Sequence, residues 1–272
     1  MNEFNPDNLK KLYVPSNTSV KGDNGKLMII AGSILFHAAS LWPLEIASKI
    51  VDMVYFSSVS VNNEIVQKDK ESFRNGIVVP RQELEKYVEE ADCILIGPGL
   101  PRDDGLGKGE VNTGELTKKL LSKFPNKKWV IDGGSLQVIE PEVIPQTAII
   151  TPNIKEFKML FNLEPNVQNA KAVTDKYKFT LLLKGEEDIV AKIHESVIIK
   201  GGNAGMTKGG TGDVLAGLTA SFYCKNDNFL SAEAASYINK KASDKLYEKM
   251  GLYFNATDLA NEIPVTMREL IL

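Results

Sequence analysis

Histidine, cysteine and tryptophan each occur only twice in 272 residues. Cys93 and Cys224 lie far apart, without metal-ligand spacing around them, so neither a zinc site nor a disulfide framework is expected. Each sits inside an apolar pattern and reads as a buried free thiol. With only His37 and His194, and no Gly-x-Ser-x-Gly elbow, a Ser-His-Asp hydrolase has little to be built from. Positive charge is not in excess either. The 32 Lys and Arg stand against 35 Asp and Glu, a net charge of −3 with a pI near 5.6. Binding to nucleic acid or to an anionic membrane leans on a cationic surplus, so neither partner is expected. No apolar run approaches the ~20 residues of a spanning helix, and the polar start Met1 to Asp7 carries no signal-peptide pattern. A cytoplasmic protein is the expectation.

What the chain does have is apolar content, 43% of its residues, and a length sufficient for a full core. No repeat or low-complexity linker divides it, which predicts one domain over residues 1–272. Residues 1–26 are polar and turn-rich and read as an approach segment. Leu27 to Ala31 is an apolar run suited to a buried parallel strand, ending at Gly32-Ser33. A helix is expected over Ala38 to Val51, broken near Pro43, followed by a β-rich stretch from Met53 to Val61. The pattern then recurs. Cys93 to Ile96 ends at Gly97-Pro98-Gly99, Trp129 to Ile131 at Asp132, Thr147 to Ile150 at Thr151-Pro152-Asn153, and Thr180 to Leu183 at Lys184-Gly185. Residues Asp188 to Ile193 and Ser196 to Lys200 fit a hairpin. Helices are expected over Ala216 to Cys224, Ser231 to Met250 and Ala256 to Glu262, with Pro264 stopping the last. Alternating strand and helix predicts an α/β fold with a mostly parallel central sheet and helices on both faces. Such sheets bind ligands beyond the carboxyl ends of their strands, so these polar turns gather along one rim. The glycines and charges of 102–112, among them Asp103, Asp104, Gly105, Gly107 and Gly109, read as a loop that could serve as a lid.

The densest of these turns is Gly201 to Gly217, between an expected strand at Val197 to Lys200 and a helix running from Asp213. Glycines allow backbone N–H groups to approach a ligand, and a helix start adds unpaired N–H groups with partial positive charge, which together suit a phosphate. It is not a Walker A loop, because Lys208 is followed by glycine rather than Ser or Thr. It is not a dinucleotide fingerprint, because Gly210-Thr211-Gly212 is followed by Gly217 and lies too late in the chain. Asp213 has two readings: a helix N-cap, or a carboxylate placed beside a phosphate to take a proton from a hydroxyl. In the second, the N–H groups of Gly209, Gly210, Thr211 and Gly212 stabilise charge on a transferring phosphoryl group. Asn153-x-x-Glu156 likewise fits either a Mg²⁺ site acting through water, with Glu156 as the carboxylate, or a helix N-cap followed by a surface glutamate.

In order along the chain, Lys21-Gly-Asp-Asn-Gly25, Ala31-Gly-Ser33, Gly97-Pro-Gly-Leu100, Thr151-Pro-Asn-Ile-Lys-Glu-Phe157, Leu183-Lys-Gly185 and Gly209-Gly-Thr-Gly-Asp213-Val-Leu-Ala-Gly217 resemble the ribokinase-like NAD(P)H-hydrate dehydratases. These repair enzymes use ADP or ATP to dehydrate hydrated NADH or NADPH. The resemblance implies a ribokinase-like fold, ADP or ATP with Mg²⁺ as cofactors, and a homo-oligomer. It implies a nucleotide across Lys184, Gly185, Glu186, Glu187 and Asp188 and along Gly209 to Gly212. The hydrated nicotinamide would lie near Ala39, Gly99, Asn153 and Asp213, with Asp213 as the base for phosphorylation of the C6 hydroxyl, which then leaves as phosphate. The chain departs from the family's usual pattern at Phe36-His-Ala-Ala-Ser40, at Asp132-Gly-Gly-Ser-Leu136 and at Asn153, where histidine is usual. Asn153-x-x-Glu156 is closer to the sugar-kinase branch, so a kinase for a sugar or vitamin is the alternative reading.

Overall fold

The computed structural model describes residues 2–68, 75–102 and 112–272. The expected lid residues Asp103 to Gly109 lie outside them. Strands run over β1 (Asn2–Glu3), β2 (Lys26–Ile30), β3 (Met53–Ser57), β4 (Ile77–Val78), β5 (Cys93–Ile96), β6 (Lys128–Ile131), β7 (Ala148–Ile150), β8 (Thr180–Leu183), β9 (Asp188–Lys192) and β10 (Glu195–Ile199). Helices are α1 (Ala38–Ala47), α2 (Ser60–Lys68), α3 (Leu84–Glu90), α4 (Thr113–Lys123), α5 (Gly133–Leu136), α6 (Ile154–Phe161), α7 (Val167–Tyr177), α8 (Thr211–Lys225), α9 (Asn228–Met250) and α10 (Ala256–Ile271). Among the described residues the strands form one sheet in the order β1-β10-β9-β8-β7-β6-β5-β2-β3-β4. From β8 to β4 every pairing is parallel, and β9 runs antiparallel to both its neighbours.

Successive side chains of a strand face opposite sides, and here both sides are apolar. β2 sends Leu27 and Ile29 into one core and Met28 and Ile30 into the other; β5 does the same with Cys93 and Leu95 against Ile94 and Ile96. The first core is closed by α1, α8, α9 and α10 through Leu44, Val214, Leu218, Ile238 and Leu259. The second is closed by α3, α4, α6 and α7 through Val88, Leu120, Phe157 and Val173. Both cysteines are buried and free. No helix among the described residues is long and apolar enough to cross a membrane.

Strands β2, β3 and β4 progress to one side, whereas β5 returns to the other flank of β2 and β6 to β8 continue away from it. The order reverses between β2 and β5, which is where an open α/β sheet leaves a crevice. The turns after these two strands are tied together there, Gly32 N donating to Pro98 O at 2.7 Å. The row continues along the rim: Gly134 N donates to Gly97 O at 3.1 Å, and Lys184 N to Pro152 O at 2.9 Å.

Four local expectations are corrected. Residues 2–3 are not a mere approach, since β1 joins the sheet edge beside β10. The β-rich stretch ends at Ser57, and Ser60 to Lys68 are helical, Val66 being buried while Val61 and Ile65 remain exposed. Pro43 does not break α1, and the close crossing of α1 over α8 uses Gly217, where an added Cβ would stand 2.7 Å from Pro43 Cα. Pro264 does not stop α10. It removes the donor for the Ala260 carbonyl four residues back, and Lys49 Nζ supplies the missing bond at 3.2 Å, while also reaching Asn261 Oδ1 at 2.6 Å.

Candidate active site

A helix start leaves N–H groups without intrahelical partners, and side chains usually take them up. Five helices here follow that rule: Asn112, Asn153, Asn166, Asp227 and Asn255 cap α4, α6, α7, α9 and α10. α1, α3, α5 and α8 do not, and in α8 the N-cap is Gly210, in the left-handed region at φ 96°, with no side chain to offer. The preceding loop is fixed from outside the helix. Thr211 Oγ1 lies 2.6 Å from Met206 O and 2.9 Å from Lys208 O, and Asn203 anchors to Ser243 with its Nδ2 2.8 Å from Ser243 Oγ. Thr211 N turns back to Lys208 O at 3.4 Å, and the N–H groups that follow it in the first turn of α8 have no side-chain cap.

Two clefts meet at this turn. One, of about 810 Å³, is lined by Lys184 to Asp188 on one wall, Gly201 to Asn203 on another, and Thr211, Gly212 and Leu215 of α8. The other, of about 730 Å³, lies over the β2–β5 crevice and is lined by Phe36, Ala39, Trp42, Gly99, Gly209, Gly210 and Asp213, among others. The N-terminus of α8 is the partition between them.

Asp213 is half-buried at this partition. Burial pushes its carboxyl up to about 7; the like charges of Asp132 and Glu156 add to this, and Lys184 opposes it. Lys184 itself extends from the end of β8 to place Nζ 2.7 Å from Asp132 Oδ1, the carboxylate being almost entirely enclosed. Thr151 Oγ1 donates to the same oxygen at 2.8 Å. Burial works against the Lys184 charge, but Asp132, Glu156 and Asp213 together hold the ammonium above the ordinary lysine range. Glu156 is 5% exposed, so it is not the surface glutamate that the alternative reading of its spacing expects. It completes a capping box: Asn153 Oδ1 accepts from Lys155 N and Glu156 N, and Glu156 Oε2 accepts from Asn153 N at 2.9 Å. Its other oxygen accepts from Gln137 Nε2 at 2.9 Å.

The sequence-predicted residues divide between the clefts. Lys184, Gly185, Glu186, Glu187, Asp188, Thr211 and Gly212 line the first, and Ala39, Gly99 and Asp213 the second. Gly209 and Gly210, expected with the nucleotide, line the second cleft. Asn153, expected with the nicotinamide, lines the first, beside Lys184, with which it forms a β-bridge. Asp188 is a buried anchor: it accepts from Gly185 N at 2.9 Å and from Ser236 Oγ at 2.7 Å, and Lys240 Nζ stands 3.4 Å away.

Among the lining residues that sequence reading missed, three bear on the site. Lys240 is 3% exposed and donates to Glu186 O at 2.8 Å, pinning the Gly185 to Glu187 loop. Asn239 precedes it on α9. Trp42 packs against Gly210, where an added Cβ would stand 2.4 Å from its ring, and is held by Nε1 donating to Thr257 Oγ1 at 3.1 Å. Nothing in the sequence singles out Lys240, one of two adjacent lysines in a mixed helical stretch that also holds Glu233, Tyr237 and Asn239.

The family model described as NAD(P)H-hydrate dehydratase matches residues 27–265. The chain is 34% identical over 267 residues to the bifunctional NAD(P)H-hydrate repair enzyme Nnr of Methanocaldococcus jannaschii, covering 96% of this chain and 51% of that protein. It thus spans about half the length of that relative. It is also 34% identical over 282 residues to the ADP-dependent (S)-NAD(P)H-hydrate dehydratase of Nitrosopumilus maritimus, covering 96% and 95% of the two chains. Among solved structures, a ribokinase-like superfamily protein of Enterococcus faecalis superposes with a TM-score of 0.87 at 24% identity, over 99% of this chain and 96% of that one. The fold is ribokinase-like, and the chain belongs to the NAD(P)H-hydrate dehydratase family.

Proposed function

We propose that the protein dehydrates hydrated NADH or NADPH at the expense of ADP or ATP. One observation carries the reading: the uncapped N-terminus of α8 stands between two clefts, with Thr211 and Gly212 toward one and Asp213, its carboxyl pushed up to about 7, toward the other. That arrangement suits transfer of a phosphoryl group from a nucleotide in the first cleft to a hydroxyl in the second. The relative from Nitrosopumilus maritimus carries both the nucleotide and the substrate in its name.

In this reading Asp213 takes the proton of the C6 hydroxyl as its oxygen attacks the terminal phosphoryl group, and the nucleotide leaves one phosphate shorter. A carboxyl near 7 is ionised often enough to accept the proton and basic enough to hold it. Backbone N–H groups of Gly209 to Gly212 face the charge that builds on the phosphoryl oxygens. Hydroxide is a poor leaving group and phosphate a good one. The C6–O bond then breaks with its electron pair going to phosphate, the ring nitrogen lone pair fills in behind it, and loss of the C5 proton restores the dihydropyridine. Lys184 meets the nucleotide phosphates from the floor of the first cleft, and Lys240 holds the Gly185 to Glu187 loop that lines it.

Among the described residues no cluster of three His, Cys, Asp or Glu side chains is placed to hold a metal, and each Glu156 oxygen already accepts one hydrogen bond. Such a carboxylate fits a hydrated cation that arrives with the phosphates, touched through water. Bound there, Mg²⁺ would neutralise phosphate charge.

The test is to incubate the protein with hydrated NADH or NADPH plus ADP or ATP and follow the return of reduced-nicotinamide absorbance. Recovery is expected in the wild type, and loss of turnover with nucleotide binding kept in Asp213→Asn. No recovery with either nucleotide sinks the dehydratase reading, and near-normal turnover in the variant removes the role of Asp213. Phosphorylated product from a sugar or vitamin would turn the reading to a kinase.

A further inference from the structure

Among the described residues, Lys184, Lys200, Lys208 and Lys240 line the 810 Å³ cleft. Three of these lysines have a carboxylate partner. Lys184 stands 2.7 Å from Asp132, Lys240 stands 3.4 Å from Asp188, and Lys200 pairs with Glu3 on β1. Lys208 has no carboxylate within ion-pair distance among the described residues. Its Nζ donates to the Leu252 carbonyl and lies 5.2 Å from the centroid of the Phe254 ring. A carbonyl and a ring face attract an ammonium without cancelling its charge. Lys208 therefore brings to this cleft a positive charge that no acidic side chain matches.

The backbone sets that charge beside the turn that divides the two clefts. Lys208 O accepts from Thr211 Oγ1 at 2.9 Å and from Thr211 N at 3.4 Å, which ties Lys208 to the first residue of α8. Gly209 and Gly210 follow it, and neither has a side chain to stand between the ammonium and the turn. The Lys208 side chain is exposed, and contacts to a surface carbonyl and a surface ring are weak ones to leave. Its flexible four-carbon stem lets the ammonium swing from Leu252 toward the cleft. Glu186 and Glu187 already add negative charge to one wall, and a nucleoside di- or triphosphate brings more. As a phosphoryl group moves, charge gathers on its peripheral oxygens and on the oxygen it is leaving, so a cation there counts for more in the transition state.

We propose that Lys208 is a catalytic residue, whose ammonium leaves Leu252 O when the nucleotide binds and pairs with the terminal phosphoryl group as it is transferred. The proposal rests on the reading of the 810 Å³ cleft as the nucleotide site. Lys208 stays protonated throughout. The substrate hydroxyl oxygen forms the new bond to phosphorus, and its proton passes to Asp213. The bond to the departing nucleotide breaks with its electron pair going to that nucleotide's oxygen, and the ammonium meets the charge that grows there.

The experiment measures binding of ADP, ATP and AMP by calorimetry, and turnover of hydrated NADH, in the wild type, Lys208→Met and Lys208→Arg. Methionine keeps an unbranched stem and removes the charge, whereas arginine keeps the charge. In Lys208→Met, affinity for the donor nucleotide is expected to fall about tenfold, while AMP, which has no group to transfer, binds within about twofold of the wild type. At saturating nucleotide, kcat should fall about 10- to 100-fold. Lys208→Arg should recover most of both losses. A lysine that only braces the turn holding Leu252 would give a lower melting temperature with ADP and AMP weakened alike, and that result overturns the proposal. So does a Lys208→Met protein whose kcat and ADP-to-AMP affinity ratio match the wild type. A lost ADP-to-AMP preference in a protein whose wild type shows no dehydratase activity would refute the proposed reaction and leave Lys208 on the terminal phosphate. Failure of the wild type to bind either ADP or ATP would refute both the nucleotide site and this assignment.

Discussion

Lys184 Nζ lies 2.7 Å from Asp132 Oδ1 in an almost fully enclosed pair, and that pair is part of what sets the proton affinity of Asp213. Asp132 adds like charge to the site and Lys184 opposes it, on top of the burial that dominates. The carboxyl at about 7 must be ionised to act as a base, so kcat/KM for the hydrated nucleotide should rise with pH to a plateau above about 7. Lys184→Met removes the one opposing charge and should move this acid limb to higher pH. It should also leave Asp132 as a buried unpaired charge, at a cost of about 3–5 kcal/mol in stability. A pH–rate profile and a denaturation curve on both proteins check this; a limb that stays in place would show that Lys184 does not act on Asp213.

The same shift bears on stability. Between about 4 and 7 the folded protein keeps Asp213 protonated while the unfolded chain, with its carboxyl near 3.8, has released the proton. The folded state binds more protons, so this residue's contribution falls as pH rises through that window. Asp213→Asn, neutral at every pH, should gain on the wild type across this window, its advantage being larger at pH 8 than at pH 5 by on the order of a few kcal/mol. Thermal melts at the two pH values decide it, and an equal effect of the substitution at both would contradict the burial origin of the shift. A residue that stabilises the fold when its charge is deleted is one kept for another reason.

Strand ends and the glycine turns after them were readable because burial on both faces writes a continuous apolar run, and a glycine or proline ends it. That logic located the rim, Asp213 and Lys184. It failed where a neighbour distant in sequence supplies what the local pattern lacks. Pro264 ends a helix by every local rule, but the Lys49 ammonium restores the Ala260 carbonyl's bond and the helix continues to Ile271. Ser60 and Val61 read as the end of the β-rich stretch because Val61 is β-branched, yet they open a helix and Val61 faces solvent. Asn153 and Glu156 carry both of their sequence readings in part. They form the capping box, but the glutamate is buried against Gln137 rather than on the surface. Asn239 and Lys240 gave no signal, since a polar residue in a helix is usually solvated, and only the packing of α9 under the first cleft buries them.

Gly209 and Gly210 are adjacent, look equivalent in sequence, and should respond oppositely to the same substitution. At Gly210 the backbone sits at φ 96°, and a Cβ would stand 2.4 to 2.7 Å from three atoms of the Trp42 ring. Trp42 cannot yield freely, because Nε1 is bonded to Thr257 on α10. Left-handed strain and overpacking together should cost Gly210→Ala roughly 2–5 kcal/mol. Because Gly210 is the N-cap of α8, the distortion falls on the turn that divides the two clefts, so nucleotide affinity and turnover should drop together. At Gly209 an added Cβ meets nothing within 4 Å. Gly209→Ala should stay within about 0.5 kcal/mol of the wild type. Any loss of its activity would then come from a methyl group standing where a ligand must approach, and would appear in ligand binding without a change in melting temperature. Comparable destabilisation of both variants would mean that the Trp42 contact does not fix the loop.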